Sequence, residues 1–456
     1  MLLKSINPAN GETVHEYPES QWEEIDTTIR SVKNAFHSWK KTSTQKRIDH
    51  VKKLAHLLDI RKENLAHTMT IEMGKPIQES RAEVEKCICL CNYYCEHIDE
   101  FLRSKSIPTE ATESYVSFQP LGVILAIMPW NFPLWQVFRC AIPSILAGNT
   151  MVLKHASNVP GCAIAIEDLF LESDFPDDIF RSVLTSNRRV ERIIANKRIA
   201  AVTLTGSTKA GQAVAQTAGT YLKKCVLELG GSDPYIILDD ADLDMAVEAC
   251  VKGRLLNTGQ SCIGAKRFIA TEKIYDEFEQ RFVAEMKAVT MGDPLNEFNQ
   301  LGPIARGNIR EDLLSQVNKS ISMGAHLLCG GEINYDVEGF YYPATVLSNV
   351  QSGMPAYNQE LFGPVASLIK VKGEQEAIHI ANDTSYGLGA AIFTADVEKG
   401  KYIAEHELDA GCCFVNDFVK SDPRLPFGGI KDSGYGRELS IYGLHEFVNI
   451  KTVYIK

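Results

Sequence analysis

At 456 residues the chain is too long for a single hydrophobic core, so two or three domains share the polypeptide. Its 45% hydrophobic and 23% charged residues are those of an ordinary globular protein and exclude a disordered or fibrous one. A formal charge of −11 argues against nucleic acid or an anionic membrane as partner, because phosphate-rich surfaces attract basic patches.

The opening Met1-Leu2-Leu3-Lys4-Ser5-Ile6-Asn7-Pro8 has neither the long apolar run nor the small-residue cleavage site of an export signal, which predicts a cytoplasmic protein. From Trp22 to about Cys95 the apolar residues fall at helical spacing, broken near Met73-Gly74-Lys75-Pro76, where a helix end is predicted. Cys87, Cys91 and Cys95 recur every four residues and so share one helix face, which reads as core packing. The paired C-x-x-C spacing of zinc ligands is missing, so no metal is expected. The twelve cysteines as a whole, the neighbours Cys412 and Cys413 included, read as free thiols of a reducing compartment.

Ile107 to Pro120 alternates polar and apolar residues around a turn at Glu110 to Glu113, predicting a hairpin that stands away from the body and mediates oligomers. The most apolar stretch, Leu121 to Met128, covers only about eight residues against the roughly 20 of a membrane span, so it reads as a buried strand. Short strands then alternate with helices at Gly122–Ile127, Thr150–Leu153, Arg181–Thr185, Ala201–Thr205 and Lys224–Leu227. A second series follows at Tyr235–Leu238, Lys266–Ala270, Ala366–Val371, Ala390–Phe393 and Gly411–Val415. Such alternation predicts an α/β protein with two parallel sheets. Phe447 to Ile455 reads as a last strand that pairs with another sheet edge or another subunit.

Three segments carry candidate chemistry. In Asn257-Thr258-Gly259-Gln260-Ser261-Cys262 a cysteine sits in a polar, glycine-bearing loop before an apolar strand, placed either to react or merely to pack. In Leu227-Glu228-Leu229-Gly230-Gly231, Glu228 ends an apolar strand, where active sites of parallel sheets form. A carboxylate in apolar surroundings has a raised pKa that suits a general base, although a salt-bridged structural role is the alternative. In Pro129-Trp130-Asn131-Phe132-Pro133, Asn131 stands at a helix entrance, either as a cap or as an amide donor to a developing oxyanion.

Together these segments resemble the aldehyde dehydrogenase superfamily, in its PWNFP, LELGG and GQSC signatures. Thr205-Gly206-Ser207, Gln359-Glu360-Leu361-Phe362-Gly363-Pro364 and Pro426-Phe427-Gly428-Gly429-Ile430-Lys431 match as well, in the family's order and over almost the whole chain. The resemblance implies a Rossmann-like cofactor-binding domain (1–104 and 120–228), an α/β catalytic domain (229–424) and a β oligomerisation arm (105–119 and 440–456) of a homodimer or homotetramer. It also implies that Cys262 attacks an aldehyde and that Asn131 and the Cys262 backbone N–H hold the oxyanion. Glu228 then activates the water that hydrolyses the thioester.

For the cofactor, the resemblance puts Lys154 and Ser157 on the adenine ribose, Gly206 and Ser207 near the pyrophosphate, and Glu360 and Phe362 on the nicotinamide side, with Trp130 lining the same cleft. Many NAD-preferring relatives carry a glutamate where this chain has Ser157. Its absence, with Lys154 as a cation, predicts that NADP is preferred and NAD accepted. The stretch Leu184-Thr185-Ser186-Asn187-Arg188-Arg189-Val190 lacks the glycine common in relatives, and its arginines are either phosphate ligands or simply solvated. Gly264 stands where some relatives have a second cysteine, so no redox switch of that type is expected.

For the substrate, Asn131, Trp135 and Arg139 are spaced by four, which predicts one stripe facing one pocket. The span is about 12 Å at helical rise, enough for a short chain with a distal carboxylate. Arg139 is the natural grip for that carboxylate, or else half of an internal ion pair. Trp135, Arg139 and Ser421 in Ser421-Asp422-Pro423-Arg424-Leu425-Pro426-Phe427 resemble the short bacterial succinate-semialdehyde dehydrogenases. Leu256 replaces the second arginine that some of those enzymes carry. Glutarate semialdehyde or another small aldehyde, a CoA-acylating reaction, and a non-catalytic dinucleotide-binding protein are the alternatives.

Overall fold

Residues 123 to 128 are all buried, and their alternation shows why. Val123, Leu125 and Ile127 pack on one side of their sheet with Ile25, Ile29 and Val32 of the helix Trp22–Trp39. Ile124, Ala126 and Met128 face a larger core on the other side. A strand covered on both faces has no place for a polar residue, which makes it read as one apolar run. The computed structural model describes residues 2–456.

This strand, Val123–Met128, is central in a six-stranded sheet. The spatial order is Gly434–Tyr435, Lys224–Glu228, Ile199–Thr205, Val123–Met128, Thr150–His155, Phe180–Ser182. All neighbours are parallel except the short first strand, which returns antiparallel from the distant C-terminal region. The order reverses between Val123–Met128 and Ile199–Thr205, the switch point of a doubly wound sheet, where ligands bind beyond the carboxyl ends. Those two ends run directly into Pro129-Trp130-Asn131 and Gly206-Ser207.

The second sheet has seven strands in the order His326–Cys329, Thr345–Ser348, Val365–Val371, Ala265–Thr271, Asp233–Ile237, Gly389–Phe393, Cys412–Val415. All five strands expected there are present. The antiparallel edge strand His326–Cys329 and its neighbour Thr345–Ser348 were not expected, nor was the N-terminal hairpin of Leu2–Ile6 with Thr13–Pro18. The hairpin strand Thr13–Pro18 is largely exposed and lacks the apolar alternation that would have marked it.

Helices Thr44–Ile60, Lys62–Met73 and Ile77–Phe101 fill the predicted N-terminal helical region. The break falls at Gly74, which closes its helix in the left-handed conformation at φ 81°. Cys87, Cys91 and Cys95 do line the buried face of Ile77–Phe101, whereas Cys89 is exposed. Lys105–Ser106 pairs antiparallel with Glu113–Pro120, and the final strand Val448–Ile455 adds to the other edge of Glu113–Pro120. The last strand therefore finds its partner within the chain, in a three-stranded sheet of its own.

Candidate active site

The Cys262 loop is held in a conformation that isolated residues avoid. Asn257 and Thr258 both have positive φ, 56° and 54°, which costs of order 1–3 kcal/mol each and persists only when neighbours over-determine it. The neighbours are buried or half-buried groups. Glu79 Oε2 accepts the Asn257 N–H at 2.7 Å, and the Asn257 amide donates to the carbonyls of Asn131 and Gln260 at 2.7 and 3.1 Å. Gln260 Oε1 accepts the Ala305 N–H at 2.9 Å, and Lys266 Nζ donates to the carbonyls of Ser261 and Cys262 at 3.0 and 2.7 Å.

Two glycines of the signatures are explained by close approach. A Cβ on Gly231 would lie 2.6 Å from the Cys262 carbonyl oxygen, and one on Gly259, at φ 72°, would lie 2.4 Å from the Gly363 backbone. Each signature thus presses against another signature, which is why they are separated in sequence and adjacent in space.

Two cavities meet at this loop. One, of about 420 Å³, opens at the switch point and is lined by Trp130, Asn131, Lys154, Ser157, Gly206, Ser207, Glu360, Phe362 and Cys262. The other, of about 140 Å³, is lined by Trp135, Arg139, Ser421, Phe427, Lys86 and again Cys262. Among the described residues, Cys262 is the one that lines both.

The larger cleft has the features that a dinucleotide requires. Ser207 caps the helix Thr208–Thr220, accepting from the Ala210 N–H at 3.3 Å, so the free N–H groups of a helix start face the cleft. Lys154 Nζ donates to Asn187 Oδ1 at 2.6 Å, and burial pushes this ammonium down to about 8. Both amide atoms of Asn158 and the Arg306 Nε are buried there without protein partners, ready for a polar ligand. Trp130 and Phe362 stand edge to face with ring centroids 5.7 Å apart. Glu360 is the one carboxylate of this lining, and it is held by the Gly231 N–H at 3.0 Å and by Lys266 at 3.9 Å. Arg188 and Arg189 do not line the cleft: Arg189 pairs with Glu19 at 3.3 Å, and Arg188 is exposed.

One expectation needs correction. Asn131 does not share the Trp135–Arg139 stripe, because the helix starts only at Trp135 and Asn131 lies in the turn before it. Its amide donates to the Gln260 carbonyl at 3.0 Å, beside the nucleophile loop, and it lines the cofactor cleft rather than the smaller pocket. The helix cap is instead Glu83, whose Oε1 accepts the N–H groups of Leu134 and Trp135 at 2.8 and 2.9 Å while its other oxygen pairs with buried Lys75.

Of the two readings of Arg139, the internal ion pair is present in the structure. Arg139 pairs with Glu438 at 2.5 Å and donates to Gln136 at 2.6 Å, both charges being only 2% exposed, and its guanidinium lies over the Phe427 ring. It lines the pocket all the same. The resting site does not favour the Cys262 thiolate. Burial pushes the thiol up to about 12, opposed by the charges of Arg139 and Lys266.

Glu228 sits at the carboxyl end of Lys224–Glu228, 1% exposed, with neither carboxylate oxygen hydrogen-bonded. Burial raises its pKa well above the carboxylate range, and the neighbouring Glu438 adds to the rise. The salt-bridged alternative is therefore not realised. Glu228 lines neither cavity; it lies against Gly428, the residue after Phe427 of the pocket wall. Lys86, Glu83, Arg306 and Glu438 escaped the sequence reading, since only the fold brings them here.

The aldehyde dehydrogenase family profile matches residues 2–453. A succinate semialdehyde dehydrogenase of Escherichia coli named for NAD(P)+ is 47% identical over 99% of this chain and 97% of its own length. A probable NADP+-dependent one of Synechocystis is 45% identical over the full length of both. The crystal structure of succinic semialdehyde dehydrogenase from Streptococcus pyogenes in complex with NADP+ superposes with a TM-score of 0.97, at 38% identity and 99% coverage of both chains. A loop cysteine shared by a dinucleotide cleft and a small substrate pocket, on this fold and with these relatives, identifies the chain as a member of the aldehyde dehydrogenase family.

Proposed function

We propose that the protein oxidises succinic semialdehyde to succinate, using NADP in preference to NAD. The observation that carries this reading is Cys262 at the junction of the two cavities: one thiol can reach an aldehyde in the smaller pocket and face a nicotinamide in the larger cleft.

Cys262 adds to the aldehyde carbon, and the thiol proton leaves to a base of the site. The oxyanion of the resulting thiohemiacetal takes a hydrogen bond from the Asn131 amide and one from the Cys262 backbone N–H. The bound dinucleotide supplies the hydride acceptor. Glu228, after rotating from its resting place beside Gly428, takes a proton from the water that attacks the thioester and releases the acid. Burial raises the Glu228 pKa, and a carboxylate of raised pKa is a stronger base toward water than an ordinary exposed one. The presence of Glu228 also supports hydrolysis over transfer to CoA.

Cofactor choice follows from charge. With Lys154 buried and Ser157 in place of a carboxylate, nothing on the adenine side repels a 2′-phosphate. Ser157→Glu shifts the kcat/KM ratio toward NAD by about 10- to 100-fold, through like-charge repulsion. An unchanged ratio in parallel NAD and NADP assays refutes this account.

Arg139 orients the substrate carboxylate while Glu438 balances its charge. Arg139→Ala raises KM for succinic semialdehyde and also leaves Glu438 buried without a partner, a loss of about 3–5 kcal/mol. A falling Tm accompanied by unchanged KM assigns Arg139 to structure alone. The direct test of the function is reduction of NADP with succinic semialdehyde, compared with glutarate semialdehyde and with butanal. Turnover of butanal alone refutes the carboxylate reading and keeps the mechanism.

The chain division into a cofactor domain, a catalytic domain and an arm belongs to the same reading, supported by three separate sheets. The arm exposes Ile107, Ile450 and Ile455, a pattern suited to a partner copy in a homodimer or homotetramer. No helix among the described residues is long and apolar enough to cross a membrane.

A further inference from the structure

The helix Ile77–Phe101 sends Glu79, Ala82, Glu83 and Lys86 into the smaller pocket, a spacing that puts all four on one face. Two of its three charged groups are already engaged. Glu79 holds the Asn257 N–H, and Glu83 caps the next helix while pairing with Lys75.

Lys86 is different. Its ammonium lies 4.4 Å from the centre of the Trp135 ring and donates to Ser421 Oγ at 2.8 Å, and among the described residues it forms no ion pair. An ammonium has three N–H donors, so two remain after the bond to Ser421. The other cations of the pocket are matched: Arg139 by Glu438, and Lys420 by Asp417 at 2.5 Å. The unmatched positive charge of this pocket therefore belongs to Lys86, and Arg139 contributes direction more than net charge.

From this arrangement we infer that Lys86, steadied by Ser421, is the residue that selects aldehydes with a distal carboxylate, forming the ion pair that Arg139 cannot form alone. The inference rests on the carboxylated-aldehyde reading above. It also accounts for Leu256: with a cation supplied from another helix, the wall position can be apolar.

A pH dependence follows. Burial pushes the Lys86 ammonium down to about 8, with Arg139 contributing, while Glu83, Cys87 and Asp422 oppose the shift. Glu79 on the same face is pushed up to about 7 by burial. A lysine with a lowered pKa is charged below that value and neutral above it, so its grip is lost as pH rises through about 8. The quantity to read is kcat/KM for succinic semialdehyde divided by that for butanal, since kcat/KM reports the free enzyme and the ratio cancels titration of Cys262 and Glu228.

Lys86→Met should lower this ratio by about 10- to 100-fold at neutral pH, the range of a lost charge-assisted hydrogen bond, with the change carried by KM. Lys86→Arg should restore most of the ratio and remove its fall above pH ~8, because a guanidinium stays charged. Butanal turnover of each variant reports whether it has folded. A wild type that favours succinic semialdehyde, with an unchanged ratio in folded Lys86→Met, overturns the role of Lys86 and leaves the substrate reading standing. A wild type without that preference overturns both. A fall above pH 8 that persists in Lys86→Arg overturns the titration of Lys86 and assigns the fall to another group, with Glu79 the first to test.

Discussion

Cys262→Ala should abolish NADP reduction with every aldehyde, by at least ~10⁴-fold in kcat, the scale seen when a covalent nucleophile is removed. No other group at the junction of the two cavities can form the covalent bond: Asn131 carries a non-nucleophilic amide, and Glu228 lines neither cavity. The resting thiol also has a defined pH signature. With burial holding it up to about 12, the thiolate fraction increases with pH, so the rate of alkylation by iodoacetamide climbs steadily across pH 7 to 9. A rate that is already level over this range would mean that the site stabilises the thiolate more than the resting geometry indicates. Residual turnover in Cys262→Ala would remove the covalent mechanism altogether.

Glu228→Gln should separate the two halves of the reaction. Thioester formation proceeds, hydrolysis slows by about 10²- to 10⁴-fold, and a single rapid turnover precedes a slow steady state in stopped-flow absorbance. The pH dependence has a fixed sign. Because burial and the neighbouring Glu438 raise the Glu228 pKa, its basic form becomes more populated as pH rises, and the hydrolytic rate rises with it. Glutamine cannot titrate, so that slope is lost in the variant. A mutant without the initial turnover would place Glu228 in thiol activation, and a mutant with normal steady-state rate would exclude it as the base.

Much of the site was legible because its signatures are local. Cys262 stands out as a loop cysteine before a strand, Glu228 as a strand-ending carboxylate before two glycines, and both sheets show in the alternation of short apolar runs with helices. The residues of the cofactor cleft came from the family resemblance, and the strand order that brings the ends of Val123–Met128 and Ile199–Thr205 together at the switch point came only from the structure. The start of the helix after Pro133 was not legible either. Asn131 and Trp135 are spaced as if on one face, and only the turn before Trp135 sends them to different cavities.

The sequence by itself determined the α/β class, the succession of strands and the absence of a carboxylate at position 157, because each depends on residues close together along the chain, while the proposed roles of Cys262 and Glu228 came from the family resemblance of their segments. Only the tertiary structure decided how charge is distributed. Arg139 and Glu438 are almost 300 positions apart yet neutralise one another, Glu83 reaches across to cap the helix of Trp135, and Lys86 meets Ser421 from the opposite end of the chain. Pairing of this kind depends on distance in space, which no local spacing encodes. It is what makes Arg139 half of a buried pair and leaves Lys86 without an ion-pair partner among the described residues.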